Sequence, residues 1–174
     1  FRQFEYRNDR LSAFLAGSLS HTTYWKNDRL YHSGDKSRSK NANYWGGTLK
    51  AGANYNINSN HNVYLNGGFI SRAPYFKSGA FMSATSSNVI NDMAENEKSA
   101  TVELGYAYHN EYIGVGVNGY LTEWIDKSMT KKGKIVEQYY INMTGVNSRH
   151  MGLEFELKAR PARWVELNAM LSLG

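Results

Sequence analysis

The chain contains one motif that is associated with nucleotide chemistry. Gly114, Gly116 and Gly119 form a Gly-x-Gly-x-x-Gly sequence, which in dinucleotide-binding proteins follows a strand and opens a helix whose N-terminus holds the pyrophosphate. Here the motif lies within alternating apolar and polar residues, and no helical pattern follows it. We interpret these glycines as part of a β-strand, where glycine eases bending or leaves room beside the backbone. The motif therefore predicts no cofactor.

The side chains that most often bind metals or act as nucleophiles show no functional spacing. The five histidines form no His-x-x-x-His or His-Glu-x-x-His interval, and the chain has no cysteine. None of the serines lies in a Gly-x-Ser-x-Gly nucleophile elbow. The sequence therefore predicts no metal site and no catalytic residue, and we do not expect an enzyme.

Several charged residues share one side of their segments when each segment is read as a strand. They are Glu103, Glu154, Glu156, Lys50, Lys158 and Arg160. Paired carboxylates can perform acid–base chemistry. If the strands close into a barrel, opposite charges on its inner side more often form a network that fills the interior or contacts another domain. We favour the structural network and predict water or a further domain beside it.

The elements that position these residues are predicted to be β-strands. From His150 to Arg160, apolar residues at the odd positions alternate with Gly, Glu, Lys and Arg at the even ones. Similar alternation along the rest of the chain predicts about eight strands. Long polar connections are expected near residues 27–42, 71–98 and 127–149. The predicted strands span about ten to fifteen residues, a length typical of tilted strands that cross a bilayer.

Short polar turns alternate with these long connections. They lie at Arg7–Arg10, Asn58–His61, His109–Glu111 and Arg160–Arg163, about fifty residues apart. Alternating short and long connections are typical of transmembrane β-barrels, whose alternating faces average to a hydrophilic sequence. The mean hydropathy is −0.57, and no run approaches the roughly twenty apolar residues of a spanning helix. The predicted fold class is all-β, an antiparallel transmembrane β-barrel segment.

Aromatic residues and charge support a membrane location. Aromatic side chains gather near strand ends, as expected for rings at the two membrane interfaces; they are Tyr24, Trp25, Tyr44, Trp45, Tyr55, Tyr64, Tyr108, Tyr112 and Trp164. The formal net charge of +5 is spread over the chain without a nucleic-acid-binding motif, so no nucleic acid partner is predicted. Basic loops are compatible with anionic lipid at a bacterial surface.

Four stretches share their order and spacing with one known family. At Asn66–Phe76 a strand ends in an aromatic, Ser, Arg and Pro run before a long connection, and Asn96–Tyr106, Val117–Lys127 and Gly145–Glu156 follow. Together they carry Asn-x-Lys, Glu-Leu-Gly-Tyr, Asn-x-Tyr-x-Thr-x-Trp and Gly-x-Glu before a Pro turn. This series resembles the barrel of TonB-dependent outer-membrane receptors, particularly the Bacteroidetes type.

The resemblance implies more structure than this chain contains. It implies a barrel of about 22 strands around an N-terminal plug domain, in the outer membrane of a Gram-negative bacterium, importing a scarce bulky nutrient with energy from TonB. About eight predicted strands are too few to close such a barrel. We therefore expect residues 1–174 to be the later part of a larger β-barrel, with the plug domain and the remaining strands absent from this sequence.

The resemblance also implies where a ligand would bind. Candidate ligand contacts are Arg72, Tyr75 and Phe76 at the base of the second long connection, with Tyr120 and Trp124 on the inner face near the third. Packing at the rim is the alternative role for each of them. The implied partners are outer-membrane lipid and lipopolysaccharide, TonB acting through the absent plug, a small-molecule or oligosaccharide ligand, and a surface lipoprotein.

Two other classes of protein stay open on the sequence. One is a complete eight-stranded outer-membrane barrel that acts as an anchor or a lipid-modifying enzyme, since eight strands can close around their own side chains. The other is a soluble all-β binding module. Siderophore, haem, cobalamin and oligosaccharide receptors are not distinguished either. The third connection contains Lys127, Lys131, Lys132, Lys134, Tyr139 and Tyr140, a composition compatible with an anionic ligand.

Overall fold

The chain forms one antiparallel sheet of eight strands in sequential order. The computed structural model describes residues 1–82, 88–132 and 140–174. The strands are β1 (Arg2–Arg7), β2 (Leu11–Tyr24), β3 (Ala42–Asn56), β4 (His61–Arg72), β5 (Glu97–His109), β6 (Ile113–Lys132), β7 (Tyr140–Ala162) and β8 (Val165–Leu173). Each strand pairs with its sequence neighbour, and over the described ranges β1 and β8 do not pair with each other, so the sheet is open. The predicted all-β class is confirmed.

Strand register separates the residues into two faces across the whole sheet. One row of directly opposed residues runs Leu15, Ala51, Gly67, Val102, Leu121 and Met151 from β2 to β7. The adjacent row on the other side runs Ala16, Lys50, Gly68, Thr101, Thr122 and His150. We call these sides the apolar face and the polar face. The Gly-x-Gly-x-x-Gly motif lies inside β6, as predicted from its alternation.

Within the described ranges, no other segment of the chain packs against the apolar face. Leu49, Leu65, Leu104 and Leu171 are all about half exposed, at 51 to 57%. The buried hydrophobic residues among those described are Ala16, Ala42, Ala80 and Phe81, which do not constitute the core of a soluble domain. A continuous exposed apolar surface of this extent indicates contact with another apolar phase. The open sheet and this surface argue against both the complete eight-stranded barrel and the soluble module.

Asparagine side chains determine the geometry of three short turns. Asn8 Oδ1 accepts hydrogen bonds from the N–H groups of residues 10 and 11, at 3.0 and 2.7 Å. Asn58 Oδ1 accepts from residues 60 and 61 at 2.9 and 3.0 Å, and Asn110 Oδ1 accepts from residues 112 and 113 at 2.8 and 2.7 Å. In each turn the side chain replaces a backbone acceptor, which is the known advantage of Asn in tight turns.

The fourth short turn lies later than predicted. We expected a turn at Arg160–Arg163, but β7 continues to Ala162, and the turn falls at Arg163 and Trp164. The pairing of β7 with β8 shifts between Ala159 and Ala162, so Pro161 lies at an irregularity where its missing N–H interrupts no regular ladder.

The third long connection was predicted too long. We expected it at 127–149, whereas β6 extends to Lys132 and β7 begins at Tyr140. The strands continue beyond β5 as a two-stranded ribbon whose pairing shifts register on both sides of Lys127. These shifts interrupt the alternation by which the other strands are recognised. Lys134 and Tyr139 lie outside the described residues, as do the side chains of Lys131, Lys132 and Tyr140.

The first long loop, residues 25–41, is organised by one buried aspartate. Asp28 Oδ1 accepts hydrogen bonds from the N–H groups of Leu30 and Tyr31 at 2.9 and 3.2 Å, and Oδ2 lies 3.4 Å from His32 Nδ1. Burial raises the pKa of Asp28, but these hydrogen bonds and the nearby imidazole outweigh it, so the pKa lies below its usual value. The loop backbone therefore favours the carboxylate form.

Aromatic rings lie over glycines in the strand pairs that long loops connect. Phe14 faces Gly52 across β2 and β3, Tyr64 faces Gly105 across β4 and β5, and Tyr120 faces Gly152 across β6 and β7. A Cβ on these glycines would lie 2.5, 2.2 and 2.9 Å from the facing ring carbons. Real Cβ atoms do not approach so closely, so each ring requires the glycine opposite it. We call these the aromatic–glycine pairs.

Candidate functional site

A buried carboxylate joins three strands at the base of the second long loop, residues 73–96. Arg72 ends β4 and lies directly opposite Glu97, which begins β5. The Arg72 Nε and Nη2 atoms donate to Glu97 Oε2 at 3.1 and 2.7 Å. Glu97 Oε1 accepts from the backbone N–H of Ser128 on β6 at 2.9 Å. Because Glu97 is only 1% exposed, both of its oxygens need these partners.

Arg72 also holds the first exposed aromatic residue of the loop. Its Nη2 donates to Tyr75 Oη at 3.0 Å, and its guanidinium carbon lies 4.7 Å from the Tyr75 ring centroid. Tyr75 is 53% exposed, and the Arg72 side chain is 43% exposed. Over the part of the chain that is described, the N–H groups on Arg72 Nη1 make no hydrogen bond. Both residues therefore present binding groups to the exterior.

Phe76 connects the loop to the polar face of β2. Its ring centroid lies 5.6 Å from that of Tyr24 and 5.1 Å from that of Phe81, with steep interplanar angles. Phe81 is 1% exposed and Phe76 is half-buried. Edge-to-face contacts of this kind stabilise aromatic clusters, so Phe76 has a packing role whether or not it also touches a ligand.

Trp124 joins the same region from β6. It lies on the polar face opposite Ser99, and Lys127 Nζ is 5.2 Å from its ring centroid. The pairing of β6 with β7 shifts register on both sides of Lys127, and Asp126 has a left-handed backbone, with φ of 57°. This irregularity allows Lys127 to turn back over Trp124. Tyr24, Arg72, Tyr75, Phe76, Glu97, Trp124 and Lys127 form what we call the outer cluster.

Tyr120 does not belong to the outer cluster. It lies four residues before Trp124 on β6, which is about 13 Å along an extended strand. Its strand neighbours on the polar face are Glu103 and Gly152, and its ring covers Gly152 as one of the aromatic–glycine pairs. The structure thus brings four of the five predicted residues together and places Tyr120 deeper along the polar face.

Sequence reasoning missed Glu97. Its partner Arg72 was predicted, but the two are 25 residues apart, and only the register of β4 against β5 shows that they are opposed. Glu97 is preceded by another acidic residue, Glu95, whose side chain is 68% exposed and pairs with Lys98. No local pattern separates the buried carboxylate from the exposed one.

The predicted charge network on the polar face takes a different form. Tyr64 Oη donates to Glu103 Oε1 at 3.0 Å, and Asn118 Nδ2 donates to Glu154 Oε2 at 3.4 Å. Over the described ranges, neither Lys50 nor Lys158 forms an ion pair, and Arg160 pairs with Glu166 instead. Lys50 lies in the row of Gly68 and Thr101, next to the row of Glu103, and no ion pair joins Lys50 to Glu103 within the described residues. Glu103 and Tyr64 border a concavity of about 570 Å³.

Metal-binding geometry is not found in the described part of the chain. There, no group of three or more His, Asp or Glu residues is arranged to hold an ion. No helix in the described part of the chain is long and apolar enough to cross a membrane.

We expect Glu97→Gln to loosen the base of the second loop by about 2 kcal/mol of local opening free energy. Glutamine retains the shape but loses the charge, so Arg72 and the Ser128 N–H compete for one neutral acceptor. Hydrogen exchange at the Ser128 amide measures this opening. The matched control is Glu95→Gln, whose exposed ion pair contributes little. Equal protection of Ser128 in wild type and Glu97→Gln would show that the carboxylate does not hold the site.

Eight antiparallel strands with an exposed apolar face, a polar face and alternating short turns and long loops define part of an outer-membrane-type β-barrel wall. A family model described as TonB dependent receptor-like, beta-barrel, matches residues 1–174. The chain belongs to this family, as the motif series predicted.

Solved structures show the same fold. Eighteen chains of known structure match this fold, among them one described as copper transporter OprC, with a TM-score of 0.76 and 14% sequence identity. The match covers 98% of this chain and 27% of the OprC chain. At this identity the likeness concerns the fold. No curated protein sequence matches the chain.

Proposed function

We propose that this chain is part of the barrel wall of a TonB-dependent receptor that imports a scarce, bulky nutrient across the outer membrane of a Gram-negative bacterium. In this proposal a plug domain and the remaining strands belong to the same longer protein. Ligand is captured at the outer cluster and passes along the polar face, past Tyr120, when the plug moves. The role is transport, with no catalytic step.

The observation that carries the proposal is the separation of the two faces in a chain of this family. The apolar face would contact lipid, and the polar face would line the lumen. Short turns would then face the periplasm, and the long loops and the outer cluster would face outward. A surface position is where a receptor must first meet its ligand.

The partners follow from this arrangement. Lipid acyl chains would cover the apolar face, and lipopolysaccharide would surround the long-loop edge, where Lys98 pairs with Asp126 and Glu95. TonB would act through the plug, because the energy for transport comes from the inner membrane. A surface lipoprotein could cover the exposed residues of the long loops, such as Leu30 and Met93, which are 82% and 80% exposed.

A deletion strain tests the transport proposal. We expect deletion of the full-length gene to abolish growth on one source within a panel of siderophores, haem, cobalamin and oligosaccharides. Deletion of tonB should give the same loss, and the intact gene should restore growth. Copper, the cargo named for OprC, belongs in the panel as an uptake measurement. If neither growth nor uptake changes for any member of the panel, the transport proposal fails.

A further inference from the structure

We propose that the outer cluster binds an anionic group attached to a flat apolar face, such as that of a sugar ring or an aromatic ring. The proposal rests on the proposed function, because it names the chemical class of the ligand that the receptor captures. It follows from two features of the cluster, its uncommitted cationic groups and its rings, which are already held in place.

Arg72 supplies a directed anion contact. Glu97 and Tyr75 occupy Nε and Nη2, and these bonds fix the plane of the guanidinium. Nη1 therefore points its two N–H groups in a defined direction, and within the described residues they have no acceptor. Each of these N–H groups can donate a charge-assisted hydrogen bond to a carboxylate, sulfate or phosphate oxygen.

Lys127 supplies the second charge. Among the described residues no carboxylate lies within ion-pair distance of its Nζ, which lies 5.2 Å from the Trp124 ring centroid. Glu97 lies between the Arg72 guanidinium and the backbone of Ser128, the residue that follows Lys127. The backbone that carries Lys127 therefore lies beside the Arg72–Glu97 pair. The outer cluster has a net positive charge, because Glu97 neutralises Arg72 and Lys127 stays uncompensated.

The rings provide the flat contact. Tyr75 is half exposed, but its hydroxyl and one face are held by Arg72, so stacking costs little conformational entropy. Trp124 has the Lys127 ammonium 5.2 Å from its ring centroid. In this proposal the anionic group of the ligand contacts Arg72 and Lys127, and its flat apolar face stacks on Tyr75 and Trp124. A neutral ligand would leave Lys127 without a counterion.

Two sources of ligand share this chemistry, an acidic oligosaccharide and an aromatic carboxylate. Titration calorimetry on the purified full-length receptor in detergent distinguishes them with three probes, tetragalacturonic acid, neutral galactotetraose and 2-naphthoate. We expect one of the anionic probes to bind with a Kd below about 1 mM, and galactotetraose not to bind. Arg72→Gln and Lys127→Gln should each weaken that binding by about tenfold, because each removes a charged contact.

The first long loop provides a matched control. Arg38 lies over Trp25 at 5.2 Å, a similar pair that is not linked to Glu97, so Arg38→Gln should leave the affinity unchanged. Tyr75→Phe should retain most of the affinity, and Tyr75→Ala should lose it. Binding of galactotetraose as tight as that of the anionic probes would overturn the proposal. So would failure of both anionic probes to bind, or equal loss in Arg38→Gln. Each of these results leaves TonB-dependent growth in the deletion assay intact, so the two proposals fail separately.

Discussion

Replacing Gly105 by alanine is expected to destabilise the sheet by about 3 kcal/mol. The added Cβ would lie 2.2 Å from Cε1 and Cζ of the Tyr64 ring. The ring must then leave its place on the polar face and give up its hydrogen bond to Glu103. The measurement is urea unfolding of the full-length receptor refolded in detergent, with the heat-dependent shift in gel mobility reporting the fraction of folded barrel.

The control is a glycine on the polar face of the next strand. A Cβ on Gly116 would make an ordinary contact of 3.6 Å with the Cβ of Glu156. Alanine is more favourable than glycine within a strand by roughly 0.5–1 kcal/mol. Gly116→Ala should therefore be neutral or stabilising, the opposite sign to Gly105→Ala.

The double variant Tyr64→Ala with Gly105→Ala identifies the cause. Once the ring is absent, the alanine at 105 has space, so we expect the double variant to be more stable than the sum of the two single changes by about 2 kcal/mol. Additive effects would mean that Gly105 is needed for a reason other than the ring, such as backbone bending.

Each aromatic–glycine pair lies where the chain itself does little to set the register. Short turns such as the one at Asn58 align their two strands directly, because hydrogen bonds to the turn leave one pairing. A loop such as 73–96 allows many pairings. A ring that has room only for a glycine opposite it penalises a shifted register. Tyr64 and Gly105 therefore fix the register of β4 against β5, as the Asn58 turn fixes that of β3 against β4.

The strands and their faces were predictable from the sequence, whereas the site was predictable only in part. Alternation is a local property, so Leu65 and Asn66 can be assigned to opposite faces without knowledge of any neighbour. The contacts of Arg72 with Glu97 and of Tyr64 with Gly105 depend on the register of two strands across a long loop. Arg72 was found through its motif, whereas Glu97 occupies the variable position of the Asn-x-Lys motif and is recognised only by its burial and its strand register.

The ribbon of β6 and β7 shows a limit of the same approach. Alternation marks a strand when the two faces meet different environments. Beyond Trp124 the pairing of β6 with β7 shifts register on both sides of Lys127 before it continues through Met129 and Met143. An interrupted register leaves no continuous period-two signal, which is why residues 127–149 were predicted as a loop.

Replacing Leu65 by arginine is expected to cost about 2–4 kcal/mol in a lipid bilayer. Leu65 is 51% exposed on the apolar face, in the middle of β4, with Ala53 and Leu104 beside it. A guanidinium there would have no ion-pair partner and would displace lipid. The measurement is urea unfolding of the full-length receptor in vesicles.

The adjacent residue is the control, because a strand turns successive side chains to opposite sides. Asn66 lies on the polar face opposite Glu103, so Asn66→Arg places the same charge in water beside a carboxylate. We expect it to change stability by less than about 1 kcal/mol. The difference between the two variants should disappear when the vesicles are replaced by micelles of a short-chain detergent. Only the bilayer penalises a charge at position 65 on the apolar face. If Asn66→Arg proved the more costly, the assignment of the apolar face to lipid would be reversed, and the outer cluster could not line the lumen.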